Sequence, residues 1–354
     1  MPIQKITIDE FITMDTSTCL LLDVRSPSEY AHAHIPTALN LPLFIDEERK
    51  IVGTAYKQES KEKAIKLGLN FFGPKMNDMI EAVEKLIAEN KGLRKIKDHQ
   101  NISIVLHCWR GGMRSAGVAW LLDLYGFKVY TIIGGYKAYR NWTLQQFELP
   151  YQFRVIGGYT GSGKTDIIST LKNKGIPNID LEGLAIHKGS AFGNLNAIKQ
   201  PSQEMFENLL AKELYKLRDE VIWIEDESQR IGDLNLPIKL FNNKQACPIF
   251  FLDIPFEERL QFILKDYGKY GKEKLVNGIM RIKKRLGGLD AKNAINFLLE
   301  DDIKNCFAIL LKYYDKHYWK GLQSCENLNQ ILTTIPCDNV DAVANTEALL
   351  SKWK

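Results

Sequence analysis

The sequence predicts an α/β protein of two domains, each built on a mainly parallel β-sheet covered by helices. Three observations lead to this prediction. The chain has 354 residues, a length that suits two domains better than one. Short apolar runs typical of buried strands alternate with stretches whose apolar residues have helical spacing. A glycine-rich motif typical of phosphate-binding loops starts at Gly158, directly after one of these runs. The boundary is expected around Pro150, which gives domains 1–148 and 149–354.

The composition narrows the class of protein. A hydrophobic content of 45% and a charged content of 25% are ordinary for a soluble protein, and no apolar run has the length of a membrane span. The first residues lack the apolar core of a signal peptide, so we expect a cytoplasmic protein with no membrane partner. The six cysteines lack C-x-x-C spacing, which argues against a zinc site. The net charge of +4 permits an RNA partner without requiring one, and the oligomeric state stays open.

The elements of the first domain alternate as a parallel sheet requires. The predicted strands are residues 20–25, 102–106 and 128–133. The predicted helices begin near Pro27, cover 76–90, follow the loop after Cys108 as far as Leu122, and start again near Gly135. The segment 52–57 is expected to be irregular, with basic and aromatic residues.

The second domain repeats this alternation and ends in a helical, basic part. Strands are predicted at residues 176–181, 221–224 and 248–254, in addition to the run before the phosphate-binding motif. Helices are predicted at 202–217 and 291–319, and a glycine-punctuated loop at 187–193. Lysines and arginines accumulate between 265 and 285. Of these, Arg281, Lys284 and Arg285 are candidates for binding RNA phosphates or a substrate phosphate, although a solvated helix face explains them equally well.

A cysteine loop in the first domain has the features of a reactive thiol. Cys108 follows the apolar run 102–106 and precedes a helical stretch, and two glycines and two arginines come directly after it. Backbone N–H groups at a helix N-terminus and neighbouring guanidinium groups stabilise a thiolate, which lowers the cysteine pKa below its usual value of about 8.5. We therefore predict a catalytic site formed by Cys108, Arg110 and Arg114.

The spacing Cys-x5-Arg-Ser, preceded by histidine, occurs in two kinds of enzyme. In cysteine phosphatases the loop amides and the arginine bind phosphate, whereas in rhodaneses the cysteine carries sulfur. The segments 22–30, 34–36 and 39–42 resemble the N-terminal half of a rhodanese domain. Ala33 and Thr37 stand where that pattern usually has glycine, so the local turn geometry is in question. Phosphatases that share the rhodanese fold fit these residues as well, so both interpretations stay open.

The motif G-x-x-x-x-G-K-T lies between an apolar run and the helical stretch 166–171. Its glycines let backbone N–H groups converge on one point, the helix directs its positive end there, and the lysine adds a charge. The predicted phosphate-binding residues are Gly158, Gly161, Ser162, Gly163, Lys164, Thr165 and Asp226. If the loop binds Mg²⁺, we expect Thr165 and Asp226 to hold it, because Asp226 closes the strand 221–224 as a metal-organising acid does.

The combination of these two loops resembles the tRNA 2-selenouridine synthase family over nearly the whole chain. The residues that carry the resemblance are 52–57, 108–115, 134–138, 158–165, 181–185 with His187, 189–193, 206–210 and 225–228 with Ile231 and Gly232. The resemblance implies an N-terminal rhodanese-like domain followed by a P-loop NTPase-like domain with a doubly wound parallel sheet. It also implies a transferase that acts on the wobble uridine of tRNA.

The chemistry that the resemblance implies is the replacement of sulfur by selenium in 2-thiouridine, with selenophosphate as donor. The exchange is expected to pass through an S-geranyl intermediate made from geranyl diphosphate, and Cys108 matches the family's catalytic cysteine, described as a selenium carrier. Because diphosphate is the leaving group of the geranyl step, we hypothesise that residues 158–165 bind the head group of geranyl diphosphate and not necessarily ATP.

Other functions fit parts of the sequence. One alternative is a cysteine phosphatase or sulfurtransferase with an accessory nucleotide-binding half, although no general acid is evident near Cys108. A second alternative is a P-loop kinase with a regulatory rhodanese-like half, in which the basic run 281–285 closes over ATP. A third is an RNA-binding or interaction module without catalytic activity, which the intact loop at Cys108 disfavours.

Overall fold

The computed structural model describes residues 3–15, 18–95, 101–189, 198–323, 325 and 327–353. The chain divides into two compact units, Met1–Gln146 and Phe147–Lys354. Each unit has one larger sheet of parallel strands with helices around it, which confirms the predicted α/β class. None of the described helices combines the length and the apolar composition that crossing a membrane requires.

The first unit is built on a sheet with the strand order β1-β5-β4-β2-β3. The strands are β1 (Gln4–Ile6), β2 (Cys19–Asp23), β3 (Leu39–Asn40), β4 (Ser103–His107) and β5 (Lys128–Ile132). The helices are α1 (Ile8–Thr13), α2 (Pro27–His32), α3 (Asp46–Gln58), α4 (Lys61–Phe72), α5 (Met76–Glu89), α6 (Met113–Tyr125) and α7 (Gly135–Gln146), with 3-10 turns at Gly73–Lys75 and Leu93–Lys95.

The central strands of this unit are buried on both faces, as their continuous apolar runs predict. Leu22 and Leu106 are buried in one core with Val83 of α5 and Val118 of α6. In the parallel register Asp23 lies opposite His107, so β2 and β4 end at the same edge of the sheet. The loop that carries Cys108 leaves the sheet at this edge.

Two local features of the first unit differ from the sequence-based expectations. Residues 52–57, predicted to be irregular, lie inside α3. The acidic first turn of α3 stabilises it, because Glu48 accepts a hydrogen bond from the N–H of Ile45 at 3.1 Å, and Ala55 packs into the interior. Thr37, which replaces a glycine of the rhodanese pattern, has φ of +82°. The backbone therefore keeps the left-handed turn that glycine favours, and the β-branched side chain is strained there.

The second unit has a parallel sheet with the strand order β12-β11-β6-β8-β7 and a small antiparallel pair, β9 and β10. The strands are β6 (Gln152–Gly158), β7 (Asn178–Ile179), β8 (Val221–Glu225), β9 (Arg230–Ile231), β10 (Leu234–Asn235), β11 (Ile249–Asp253) and β12 (Leu332–Pro336). The helices are α8 (Lys164–Asn173), α9 (Leu181–Ala185), α10 (Gln203–Lys216), α11 (Ile238–Gln245), α12 (Phe256–Tyr267), α13 (Lys272–Leu286), α14 (Gly288–Leu299), α15 (Ile303–Gln323), α16 (Leu328–Ile331) and α17 (Ala342–Ser351).

Strand β6 lies between β11 and β8 in the middle of this sheet and leads into the phosphate-binding motif. In open parallel sheets, ligands bind at the carboxyl ends of the strands where the strand order reverses. Ile156 of β6 packs with Trp223 and Leu252 of the neighbouring strands and with Ile167 and Leu171 of α8. This core fixes the start of α8 against the end of β6.

Two predicted elements of the second unit are corrected by the structure. The strand expected at 176–181 is limited to β7, because Asp180 caps α9 by accepting a hydrogen bond from the N–H of Gly183 at 2.6 Å. The helix expected at 291–319 is divided into α14 and α15. The division lies at Asp301, which has φ of +63°, a conformation that a helix cannot continue. The loop expected at 187–193 is described as far as Gly189, and the rest of it lies outside the described residues.

Candidate functional site

Cys108 lies in the first unit between the end of β4 and the start of α6. Its Sγ accepts hydrogen bonds from the N–H of Gly112 and the hydroxyl of Ser115, each at 3.3 Å. Burial raises the pKa of the Cys108 thiol, but these hydrogen bonds and the charge of Arg114 outweigh burial, so the pKa lies below its ordinary value. Only 3% of Cys108 is exposed, whereas residues 109–113 are exposed, so the sulfur forms the floor of the loop.

The glycines of this loop are required by close packing against α7. Gly111 has φ of +64°, and a Cβ atom there would lie 2.5 Å from the carbonyl oxygen of Ile132. A Cβ atom on Gly135 would lie 2.3 Å from the carbonyl oxygen of Cys108. The N–H of Tyr136 donates to that same oxygen at 2.8 Å. The two glycine-containing segments therefore hold the cysteine loop against the start of α7.

The two arginines of the loop have different surroundings. Arg114 donates to Glu29 of α2 at 2.7 Å, and Arg49 of α3 lies 3.5 Å from the same carboxylate. Burial raises the pKa of Glu29, but the hydrogen bond and the charge of Arg114 lower it by more. The pKa therefore lies below its ordinary value, and Glu29 is ionised at neutral pH. Arg110 is exposed and has no partner among the residues that the structure describes. Arg114 is thus held in place, whereas Arg110 is available to an incoming anion.

A buried polar layer supports the loop from below. Arg25 donates to both carboxylate oxygens of Asp23 and lies 4.0 Å from the centre of the Tyr136 ring. His107 is fully buried, with Nε2 3.8 Å from Asp23, and burial lowers the pKa of its imidazole to about 4. At neutral pH the layer therefore consists of an ion pair and a neutral imidazole. It positions the loop without adding a second reactive group.

The phosphate-binding motif forms the predicted strand–loop–helix arrangement between β6 and α8. Gly163 caps α8 with φ of +71°, and Gly158 and Gly161 also have positive φ. The Nζ of Lys164 donates to the carbonyl oxygen of Gly158 at 2.9 Å, and the buried Ser162 hydroxyl has no hydrogen-bond partner among the residues that the structure describes. A phosphate in this loop would meet the N-terminal amides of α8 and the lysine charge.

Thr165 contacts two carboxylates. Its hydroxyl lies 3.0 Å from Glu182 and 2.9 Å from Glu225. Burial raises the pKa of Glu225 well above its ordinary value, and the charges of Glu182 and Glu227 raise it further. The second carboxylate oxygen of Glu225 is buried and has no hydrogen-bond partner within the described part of the chain. The acid that the structure brings to Thr165 is therefore Glu225, together with Glu182, in place of the Asp226 expected from the sequence.

Asp226 instead belongs to a buried ion pair. Lys244, only 1% exposed, donates to Asp226 at 2.9 Å and to the carbonyl oxygen of Glu227 at 2.9 Å. The hydroxyl of Tyr318 donates to Asp226 at 2.7 Å and accepts the N–H of Gly158 at 3.2 Å. Asp226 thus acts on the phosphate-binding loop through Tyr318. Roles for Lys244 and Tyr318 were not predicted from the sequence, since the residues that they contact are distant in sequence.

Oxygen donors beside Thr165 suit Mg²⁺. The hydroxyl of Thr165 and the second carboxylate oxygen of Glu225 are hard ligands, and Mg²⁺ is commonly held by one or two protein ligands together with substrate phosphates. The described residues contain no group of three or more His, Cys, Asp or Glu side chains arranged to hold a metal on their own. The site therefore fits an ion that arrives with a phosphate ligand.

The phosphate-binding loop opens into a cleft of about 1560 Å³. Its lining includes the carboxylates of Glu182, Asp226 and Glu227. It also includes aromatic and aliphatic side chains, among them Phe241, Phe262, Tyr313, Tyr314 and Leu322. The cleft can therefore accommodate a ligand with a phosphate head and an apolar body.

The basic cluster predicted near residue 281 lies on α13. Arg281, Lys284 and Arg285 are all exposed on this helix. Arg285 lines the cleft, whereas Arg281 and Lys284 are not among its lining residues. The structure thus brings one of the three candidate cations to the cleft into which the phosphate-binding loop opens.

The fold and the two loops define an α/β protein that joins a reactive-cysteine unit to a P-loop unit. A family model described as a rhodanese-like domain matches residues 7–141, and one described as the tRNA 2-selenouridine synthase AAA domain matches residues 151–348. The chain belongs to the tRNA 2-selenouridine synthase family, which confirms the family predicted from the sequence.

Relatives from several bacteria carry the same name, tRNA 2-selenouridine synthase. The protein of Pseudomonas syringae pv. syringae is 37% identical over 293 residues, which cover 76% of this chain and 75% of that protein. The protein of Nitrosomonas europaea is 39% identical over 272 residues, with 74% and 67% covered. The protein of Sulfurovum sp. is 37% identical over 308 residues, with 80% of each chain covered.

Proposed function

We propose that this protein modifies tRNA by converting 2-thiouridine at the wobble position to 2-selenouridine. Selenophosphate is the selenium donor, and the reaction passes through S-geranyl-2-thiouridine made from geranyl diphosphate. The observation that carries the proposal is the joint presence, in a chain of this family, of an activated thiol at Cys108 and a phosphate-binding loop ending at Thr165.

The first step is geranyl transfer at the phosphate-binding loop. The thiocarbonyl sulfur of the base attacks C1 of geranyl diphosphate, the C–O bond breaks, diphosphate leaves and the N3 proton of the base is released. The amides before α8 and the charge of Lys164 bind the departing diphosphate. Thr165 and Glu225 would hold Mg²⁺, which would supply further neutralisation of the diphosphate charge.

The apolar side chains that line the cleft favour a prenyl diphosphate over a nucleotide as its ligand. Phe241, Phe262 and Leu322 offer aliphatic and aromatic surface in the same cleft that holds the phosphate-binding loop. Burying a hydrocarbon chain there is favourable at about 25 cal/mol per Å² of apolar surface. A geranyl group has no polar atoms to satisfy, so this surface suits it without further hydrogen bonds.

The second step replaces sulfur by selenium. Geranylation makes the sulfur a leaving group, so a selenium nucleophile attacks C2 of the base, the C2–S bond breaks and geranylthiol leaves. The Cys108 loop receives the donor, because Arg110 is an exposed cation without a partner among the described residues. The exposed cations Arg281, Lys284 and Arg285 contribute to binding the tRNA phosphates.

Reconstitution with purified components tests this proposal. Thiolated tRNA is incubated with the protein and with both co-substrates, and then with each co-substrate omitted in turn, and wobble nucleosides are identified by mass spectrometry. Both co-substrates should give 2-selenouridine, and geranyl diphosphate alone should give the S-geranyl nucleoside. Formation of 2-selenouridine in the absence of geranyl diphosphate would reject the geranyl route. ATP-dependent phosphoryl transfer without any change at the base would favour the kinase alternative.

A further inference from the structure

The Cys108 loop is built like a phosphate-binding loop as well as a thiolate site. Five residues separate Cys108 from Arg114, which is the Cys-x5-Arg spacing of cysteine phosphatases. The hydroxyl of Ser115 donates to Sγ at 3.3 Å, and the N–H of Gly112 donates to the same atom at 3.3 Å. These donors stabilise the thiolate both as a nucleophile and as a group that leaves again. Arg110, two residues after Cys108 in the same loop, adds an exposed cation.

Electron balance distinguishes two ways of using this loop on selenophosphate. Transfer of selenium to Cys108 with release of phosphate forms an S–Se bond between two reduced atoms, so two electrons must be removed. Nothing in the proposed function supplies an oxidant for that step. Attack of the thiolate on phosphorus needs none, because the P–Se electron pair leaves with selenium.

The acidic groups at the loop also restrict its chemistry. Glu29 is ionised in its ion pair with Arg114, and Asp23 is buried in its ion pair with Arg25. His107 is fully buried, and its imidazole is neutral. None of these groups can protonate an alkoxide as it leaves phosphorus. Selenide needs no such help, because hydrogen selenide is a far stronger acid than an alcohol.

We propose that Cys108 accepts the phosphoryl group of the selenium donor, and not its selenium, so that the loop acts as a phosphatase with selenide as leaving group. This inference rests on the proposed function, from which it takes selenophosphate as donor. The thiolate attacks phosphorus, an S–P bond forms and the P–Se bond breaks. Selenium leaves with the electron pair, takes a proton as hydrogen selenide and attacks C2 of the geranylated base. Water then cleaves the S–P bond, which gives phosphate and restores the thiolate.

Aryl phosphates test this chemistry without selenium or tRNA. The full-length protein, Cys108→Ser and Cys19→Ser are assayed with dinitrophenyl, nitrophenyl and phenyl phosphate. Cys19 is the matched control because it is a half-buried thiol of the same unit, on β2. The natural protein and Cys19→Ser should hydrolyse dinitrophenyl phosphate, with rates falling at least about tenfold for each poorer leaving group. Cys108→Ser should lose on the order of 100-fold or more. Equal rates with and without Cys108 would overturn the proposal.

Labelled selenophosphate tests the same step on the donor itself. The protein is mixed with selenophosphate labelled either on phosphorus or on selenium, quenched in denaturant, and the peptide that contains Cys108 is isolated. Label from phosphorus on Cys108 supports the proposal, and label from selenium on Cys108 overturns it. If Cys108-dependent hydrolysis of aryl phosphates occurs while thiolated tRNA gains no selenium, the phosphatase chemistry stands and the proposed function fails.

Discussion

Replacing Lys164 with alanine should weaken the binding of diphosphate ligands. Lys164 Nζ donates to the carbonyl oxygen of Gly158 at 2.9 Å, within the loop that would surround a phosphate. In the bound state this donor turns to phosphate oxygens, and a hydrogen bond to a charged group contributes about 1.5–3 kcal/mol. At about 1.4 kcal/mol for each factor of ten, the Kd for geranyl diphosphate should rise by about 10- to 150-fold.

Isothermal titration calorimetry with geranyl diphosphate and with inorganic pyrophosphate, each with Mg²⁺, measures this loss. Lys172→Ala is the matched control, because Lys172 is an exposed lysine in the last turn of the same helix, far from the loop. The control should bind both ligands as the natural protein does. If Lys164→Ala binds geranyl diphosphate with unchanged affinity, the diphosphate does not occupy this loop and the assignment of the geranyl step to it is wrong.

Three further predictions concern stability. Lys244→Met leaves Asp226 buried without its cation and should cost about 3–5 kcal/mol in urea unfolding. Thr37→Gly relieves the strain at φ +82° and should stabilise the protein by about 1 kcal/mol, seen as a higher Tm. Burial lowers the folded-state pKa of His107 to about 4, whereas the unfolded chain binds this proton near pH 6.5. Unfolding is therefore favoured as the pH falls from about 6.5 to 4, by about 3 kcal/mol in total, and His107→Gln should remove that part of the pH dependence.

The two loops were predictable because their geometry is encoded locally. Glycines at positive φ and a helix N-terminus place backbone amides around Cys108 and before Lys164 without help from distant residues. The role of Gly135 was predictable only in part. The sequence marked it as part of the resemblance, but its contact with the carbonyl of Cys108 depends on the pairing of β4 with β5.

The partners that tune the loops were not predictable from local sequence. Asp226 and Glu225 are neighbours in the chain, yet Asp226 pairs with Lys244 and Glu225 meets Thr165. Successive side chains at a strand end point in opposite directions, and only the positions of α11 and α15 decide which acid meets a cation. Tyr318 contacts the phosphate-binding loop from α15. The apolar periodicity of α15 predicts a helix but not where that helix packs.

The central claim is that geranyl transfer takes place at the phosphate-binding loop and that replacement of sulfur by selenium requires the Cys108 loop. The products formed by Cys108→Ser test this claim most directly. The variant is incubated with thiolated tRNA, geranyl diphosphate and selenophosphate, and the wobble nucleosides are quantified by mass spectrometry. The S-geranyl nucleoside should accumulate while 2-selenouridine is absent, because the phosphate-binding loop is intact and the thiolate is gone. Formation of 2-selenouridine at the rate of the natural protein would contradict the role of Cys108 in selenium transfer.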